Sequence, residues 1–175
     1  ENAAMMAAGM APKNIYAYGF SHYHHIGGQG ATMPLALFML RAKSKKYRVL
    51  GKATLVPSIF NINEPLQYGA VVGNPFMLIP TVMIAIILPA FSYLWFVMGW
   101  GTINYVNFDM NFAPNAVSAF FMSGGDFRNV ILVCINFVIA ALIWYPFFKA
   151  ADKAEVRKEE ERAAAKAAKL GAAQA

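Results

Sequence analysis

The chain has 175 residues, 58% of them hydrophobic and only 14% charged, with a mean hydropathy of +0.43; an ordinary soluble domain carries about 25% charged residues. That composition argues against a soluble globular domain and for a membrane protein. The net charge of +6 does not describe a nucleic-acid surface, because 13 of the 15 Lys and Arg residues fall in two stretches, 41–52 and 149–169, as membrane-flanking segments do.

Taken in chain order, residues 1–13 (ENAAMMAAGMAPK) are small and read as a solvent loop. Glu1 opens the chain without a signal-peptide pattern, so the sequence reads as the C-terminal part of a longer protein. Residues 14–148 form the membrane-embedded region. Within it, IGGQGATMPLALFML (26–40) is apolar but only 15 residues long and is interrupted by Pro34 and three glycines. A spanning helix needs about 20 residues, so the stretch predicts a half-helix or re-entrant segment, with its freed backbone groups satisfied by protein.

RAKSKKYRVLGK (41–52) predicts a basic cytoplasmic loop. The 75–98 stretch, PFMLIPTVMIAIILPAFSYLWFVM, is long enough to cross, with kinks expected at Pro80 and Pro89. Residues 113–125 are too short to cross and are expected to dip in or lie at the outer interface. A second span, 130–148, is expected to end in an aromatic belt of Trp144, Tyr145, Phe147 and Phe148 before Lys149. Two crossings place both basic regions on one side. Residues 149–175 are then a charged cytoplasmic tail, solvated as helix or coil, that buries nothing and is dispensable for ligand binding. The predicted class is an all-α polytopic membrane protein with broken or re-entrant hairpin segments.

The 96 residues 53–148 contain four charges: Glu64, Asp109, Asp126 and Arg128. Glu64, in IFNINEP, has two readings. One is a cytoplasmic turn, since Asn and Pro are common turn residues. The other is a functional carboxylate facing a cavity, because an ionised acid at membrane depth costs about 2.5–3.5 kcal/mol and is kept where it acts. Asn61 and Asn63 alternate with Phe60 and Ile62 and offer a polar and an apolar face, as a sugar site needs.

GGQGAT (27–32) lacks a nucleotide-binding pattern and reads as a tight glycine hairpin. His22, His24 and His25 have no carboxylate or thiol at ligand spacing, and Cys134 stands alone in VILVCINFVIA. The histidines read as interfacial, and neither a metal nor another cofactor is expected. Asp126 and Arg128 in GGDFRN suit a helix start.

At GKATLVPSIFNINEPLQYGAVVGNPFMLIP, together with IGGQGAT, GGDFRN and YPFFKAADK, the chain resembles a family nearly end to end. It is similar to the membrane permease component, IIC, of the bacterial phosphoenolpyruvate-dependent sugar phosphotransferase system, in its lactose, cellobiose and chitobiose branch. The resemblance implies a multi-pass protein of the bacterial cell membrane, embedded in the bilayer as a homodimer. It implies transport of a disaccharide with coupled phosphorylation by the phosphocysteine of a separate IIB protein, and assigns Glu64 to the reacting sugar.

The family's partner histidine would lie upstream of this chain. The family's Trp-Thr-Thr-Pro is NFAP (111–114) here, and Phe112 replaces the sugar-facing aromatic. A sensor of the same fold that binds sugar without phosphorylating it is the alternative function. A nucleotide-driven pump is disfavoured by the missing nucleotide motif.

Overall fold

The computed structural model describes residues 1–108 and 113–174. The described residues form helices and turns without a strand. A short helix α1 (Asn2–Ala7) leads through an irregular segment to a 3₁₀ turn at Phe20–Tyr23. A glycine-rich turn follows, then α2 (Met33–Leu40), eight residues long with Pro34 in its first turn, where a missing N–H costs nothing. The half-helix expected for this segment is therefore present.

α3 (Lys45–Ile59) packs antiparallel on α2. Its side-chain N-cap is Ser44, whose Oγ accepts from the Tyr47 amide. The stretch expected as a basic loop is thus mostly helix; only residues 41–44 turn. The physical reason lies far along the chain, in carboxylates that complete the N-terminus of α3, as described below.

After Asn61 and Asn63 a single helical turn, α4 (Glu64–Leu66), widens into a π-turn at Gln67–Val71. α5 (Pro75–Val97) begins at an Asn74 cap that accepts from Phe76, and it continues through Pro80 and Pro89. α6 (Asn115–Met122) is short. α7 (Phe127–Gln174) runs 48 residues without a break. Of these, α5 and α7 are long and apolar enough to cross a membrane, and large apolar side chains such as Ile86 and Leu142 point outward from them. α7 packs against α5, α6 and α2 and so forms the spine of the molecule.

Two expectations about α7 need correction. Trp144 and Phe148 do not form a lipid-facing belt with their neighbours; Trp144 is fully buried and Phe148 nearly so, while Tyr145 faces outward. The segment after Phe148 also buries residues, since Ala151, Asp152 and Glu155 are all buried. Asp152 accepts from the Lys43 amide (2.8 Å), the Ser44 amide (3.0 Å) and the Ser44 hydroxyl (2.7 Å). Glu159 accepts from the Lys45 and Lys46 amides at 3.0 and 2.9 Å. These two carboxylates satisfy the amides that the first turn of α3 leaves open, where negative charge is also favoured by the helix dipole. The clasp brings both basic regions to the same end of the molecule.

At the opposite end of α7, Asp126 accepts from the Arg128 amide (2.9 Å) and forms an ion pair with its side chain (2.8 Å), in agreement with the helix-start reading. Asp126 also accepts from the backbone and hydroxyl of Thr102, which closes the loop between α5 and α7.

Candidate functional site

The glycine-rich turn is the element around which the site is built. Gly27, Gly28 and Gly30 have φ of +78°, +95° and +80°, a region that side chains with a Cβ avoid. At Gly28 the backbone approaches so closely that an added Cβ would lie 2.4 Å from Cγ of Asn63. The turn is held by side chains from four other places. Asn61 accepts from the Gly27 amide (3.1 Å) and donates to the Ala113 carbonyl (3.0 Å). Asn63 donates to the Gln29 carbonyl (2.7 Å) and to Thr32 Oγ1 (3.1 Å), and Gln67 donates to the same carbonyl at 2.9 Å.

From α6, Asn115 donates to the His22 and His25 carbonyls (2.8 and 3.3 Å). From α7, Trp144 Nε1 donates to the carbonyls of Gly30 and Ala31 at 3.0 and 3.1 Å. Buried backbone groups must be paired, and here Asn61, Asn63, Gln67 and Asn115 do so while also lining the cavity, whereas Trp144 acts from the buried side.

Asn61 is itself in the left-handed region, at φ +63°, a conformation that Asn tolerates better than most residues. This turn redirects the chain after α3, so that Asn63 caps the next turn by position and Glu64 starts it. Asn63 is buried, whereas Glu64 is exposed at the mouth of a cavity of about 750 Å³. That volume lies within the range of sites for small ligands, about 300–1,000 Å³. Asn61, Asn63 and Glu64 line it together, joined by Gln29, Gln67, Tyr68 and Asn115, with His22 and His25 on another wall.

Among the described residues nothing hydrogen-bonds the Glu64 carboxylate. Its neighbours in the wall are amides, a phenol and imidazoles. Such a surface matches the hydroxyls of a neutral polar ligand, with one acid available to take or orient a proton. Phe112, the fourth residue singled out from the sequence, lies outside the described residues. His24 is turned away from the cavity and stacks edge-on against Phe20 (5.2 Å) and His25 (4.5 Å).

The family profile "Phosphotransferase system, EIIC" matches residues 1–88, just over half of the chain. The chain belongs to the EIIC family of the phosphotransferase system. It is 32% identical over 165 residues to the lichenan permease IIC component of Bacillus subtilis (strain 168), an alignment covering 90% of this chain and 35% of that protein. To the PTS system cellobiose-specific EIIC component of Geobacillus stearothermophilus it is 35% identical over 162 residues, covering 85% and 34%. The crystal structure of the transporter ChbC, the IIC component from the N,N'-diacetylchitobiose-specific phosphotransferase system, superposes with a TM-score of 0.86. Identity there is 33%, over 91% of this chain and 38% of that one. The chain thus spans about a third of the length of these relatives.

Several residues that shape the site in this EIIC chain were not singled out from the sequence. Tyr23 is fully buried, and its hydroxyl bridges Asn104 and Asn129, the latter donating at 2.8 Å. Asn136 donates to the Tyr23 carbonyl and to Ser92, both at 2.8 Å. These bonds bind the histidine segment to α5 and α7. In the sequence, Asn129 and Asn136 are isolated amides in an apolar run. Their spacing of seven, two helical turns on one face, was the available clue.

Proposed function

We propose that this EIIC chain is the sugar-binding part of a multi-pass permease of the bacterial cell membrane. The permease moves a disaccharide of the cellobiose, chitobiose or lactose type while a phosphorylated IIB protein phosphorylates it. The observation that carries the reading is Glu64, exposed at the mouth of a cavity walled largely by neutral polar groups and without a hydrogen-bond partner among the described residues, on a turn anchored to the glycine hairpin by Asn61 and Asn63. The names of the relatives supply the substrate class, and the fusion of EIIC with B in the lactose-specific EIICB component of Streptococcus mutans supports IIB as partner.

In this reading a sugar hydroxyl oxygen attacks phosphorus on the IIB phosphocysteine. The O–P bond forms, the P–S bond breaks, the cysteine leaves as thiolate, and the hydroxyl proton passes to Glu64. Asn63 and Asn61 act by positioning, since their amides hold the turn that aims Glu64; Phe112 supplies an aromatic contact to the sugar ring. The working unit is a homodimer in the bilayer.

The test is Glu64→Gln in the full-length protein, assayed for phosphoryl transfer from phosphorylated IIB to radiolabelled cellobiose or diacetylchitobiose in membrane vesicles. Gln keeps the shape but takes no proton, so transfer should fall about 10²–10⁴-fold while sugar binding persists. Near-normal transfer would remove Glu64 from the mechanism.

A further inference from the structure

Where α2, the 41–44 turn and α7 meet, an amphipathic groove of about 590 Å³ opens on the outside of the molecule, away from the Glu64 cavity. Its walls are Leu37, Phe38, Leu40, Tyr145 and Phe148. Phe38 is the hub, with ring contacts to Tyr145 (5.5 Å) and Phe148 (6.0 Å). Three exposed cations, Arg41, Lys43 and Lys149, stand along one edge.

None of the three forms an ion pair among the described residues, where Arg128 pairs with Asp126. Lys149 lies 5.8 Å over the ring of Tyr145, which also lines the groove. The carboxylate at this edge, Asp152, accepts from the Lys43 and Ser44 amides and the Ser44 hydroxyl. Three cations and one carboxylate leave a formal charge of +2 beside an apolar trough.

The depth of the groove identifies what fills it. Arg128 and Lys149 bracket an uncharged stretch of α7 and lie 21 residues apart. At 1.5 Å per residue this is about 31 Å, close to the thickness of a bilayer's hydrocarbon core. With Arg128 at one interface, Lys149 stands at headgroup level on the side of the basic regions. Apolar walls then face acyl chains while the cations face phosphates. Basic pockets between helices at this depth suit anionic lipid headgroups.

We propose that the groove binds one anionic glycerophospholipid, its phosphate held by Arg41, Lys43 and Lys149 and an acyl chain laid along Leu37, Phe38 and Phe148. A second copy docking face to face would set these cations against their own equivalents, which charge disfavours. The inference rests on the membrane placement proposed above and is independent of phosphotransfer.

The test uses full-length protein in phosphatidylcholine nanodiscs, with native mass spectrometry reading lipid retained per protomer as phosphatidylglycerol of the same acyl composition is titrated in. Wild type should retain one phosphatidylglycerol in preference to phosphatidylcholine. Arg41→Gln with Lys149→Gln should weaken that retention about thirtyfold. Lys52→Gln with Lys158→Gln removes the same charge outside the groove and should bind as wild type.

All four side chains are exposed, and circular dichroism of each double variant confirms the helices. Equal retention of the two lipids, or equal weakening by both double variants, overturns a built site in favour of general basic attraction. Retention unchanged in every variant shows the groove to be covered by other protein and also overturns the proposal. Failure of the protein to enter nanodiscs at all would strike the membrane reading instead.

Discussion

Replacing Gly28 by Ala should disrupt the site, because the added methyl meets Asn63 directly. The new Cβ would sit 2.4, 2.6 and 2.7 Å from Cγ, Oδ1 and Nδ2 of Asn63, inside any tolerable contact. Gly28 also has φ +95°, where an L side chain is strained by about 1–2 kcal/mol. If Asn63 moves to make room, it loses its bonds to the Gln29 carbonyl and Thr32 Oγ1, each contributing about 0.5–1.5 kcal/mol net. Together these give a loss of about 2–5 kcal/mol.

Because Asn63 directly precedes Glu64, the same movement misaims the carboxylate. Sugar affinity, by calorimetry on the full-length protein, should fall together with thermal stability. Gly73→Ala is the control: nothing lies within 4 Å of its Cβ position, so it should stay within about 0.5 kcal/mol. Wild-type stability and affinity in the Gly28→Ala protein would refute the claim that Asn63 is clamped on the hairpin.

Trp144→Phe keeps most of the buried ring but leaves the Gly30 and Ala31 carbonyls without their donor. It should cost about 1–3 kcal/mol in urea unfolding, and a neutral result would show that these carbonyls find water. Asp152→Ala should cost about 2–4 kcal/mol, from three donors to a charged acceptor. The readout is faster hydrogen exchange at the amides of residues 43–46, whereas deleting 160–175 should leave those amides unchanged. Burial opposes ionisation of Asp152, but hydrogen bonds from the Lys43 and Ser44 amides and the Ser44 hydroxyl outweigh it and hold its pKa below the ordinary aspartate value. The carboxylate is therefore more acidic folded than unfolded. Its contribution should be complete above about pH 4 and be lost as pH falls through the lower folded value. Amides 43–46 that stay protected in acid would count against the clasp.

The sequence by itself determined the features that depend on local composition. Two long uncharged runs became α5 and the first part of α7, because a helix is the way an apolar stretch satisfies its own backbone away from water. Pro34 and the glycines limited α2 to a half-helix, since they remove donors and permit positive φ within the residues concerned. The FNINEP motif and the glycine segment pointed to Glu64, Asn61 and Asn63, and the structure brings all three to one cavity.

Only the tertiary structure decided what these residues hold. Asn63 reaches a carbonyl 34 positions away, Asp152 closes α3 over 109 positions, and Trp144 reaches the hairpin over 114. Hydropathy placed Trp144 in a belt and Asp152 in water because it records what a side chain prefers on average. A hydrogen bond across a hundred residues depends on which surfaces α7 brings together when it packs, and no window along the chain contains both partners.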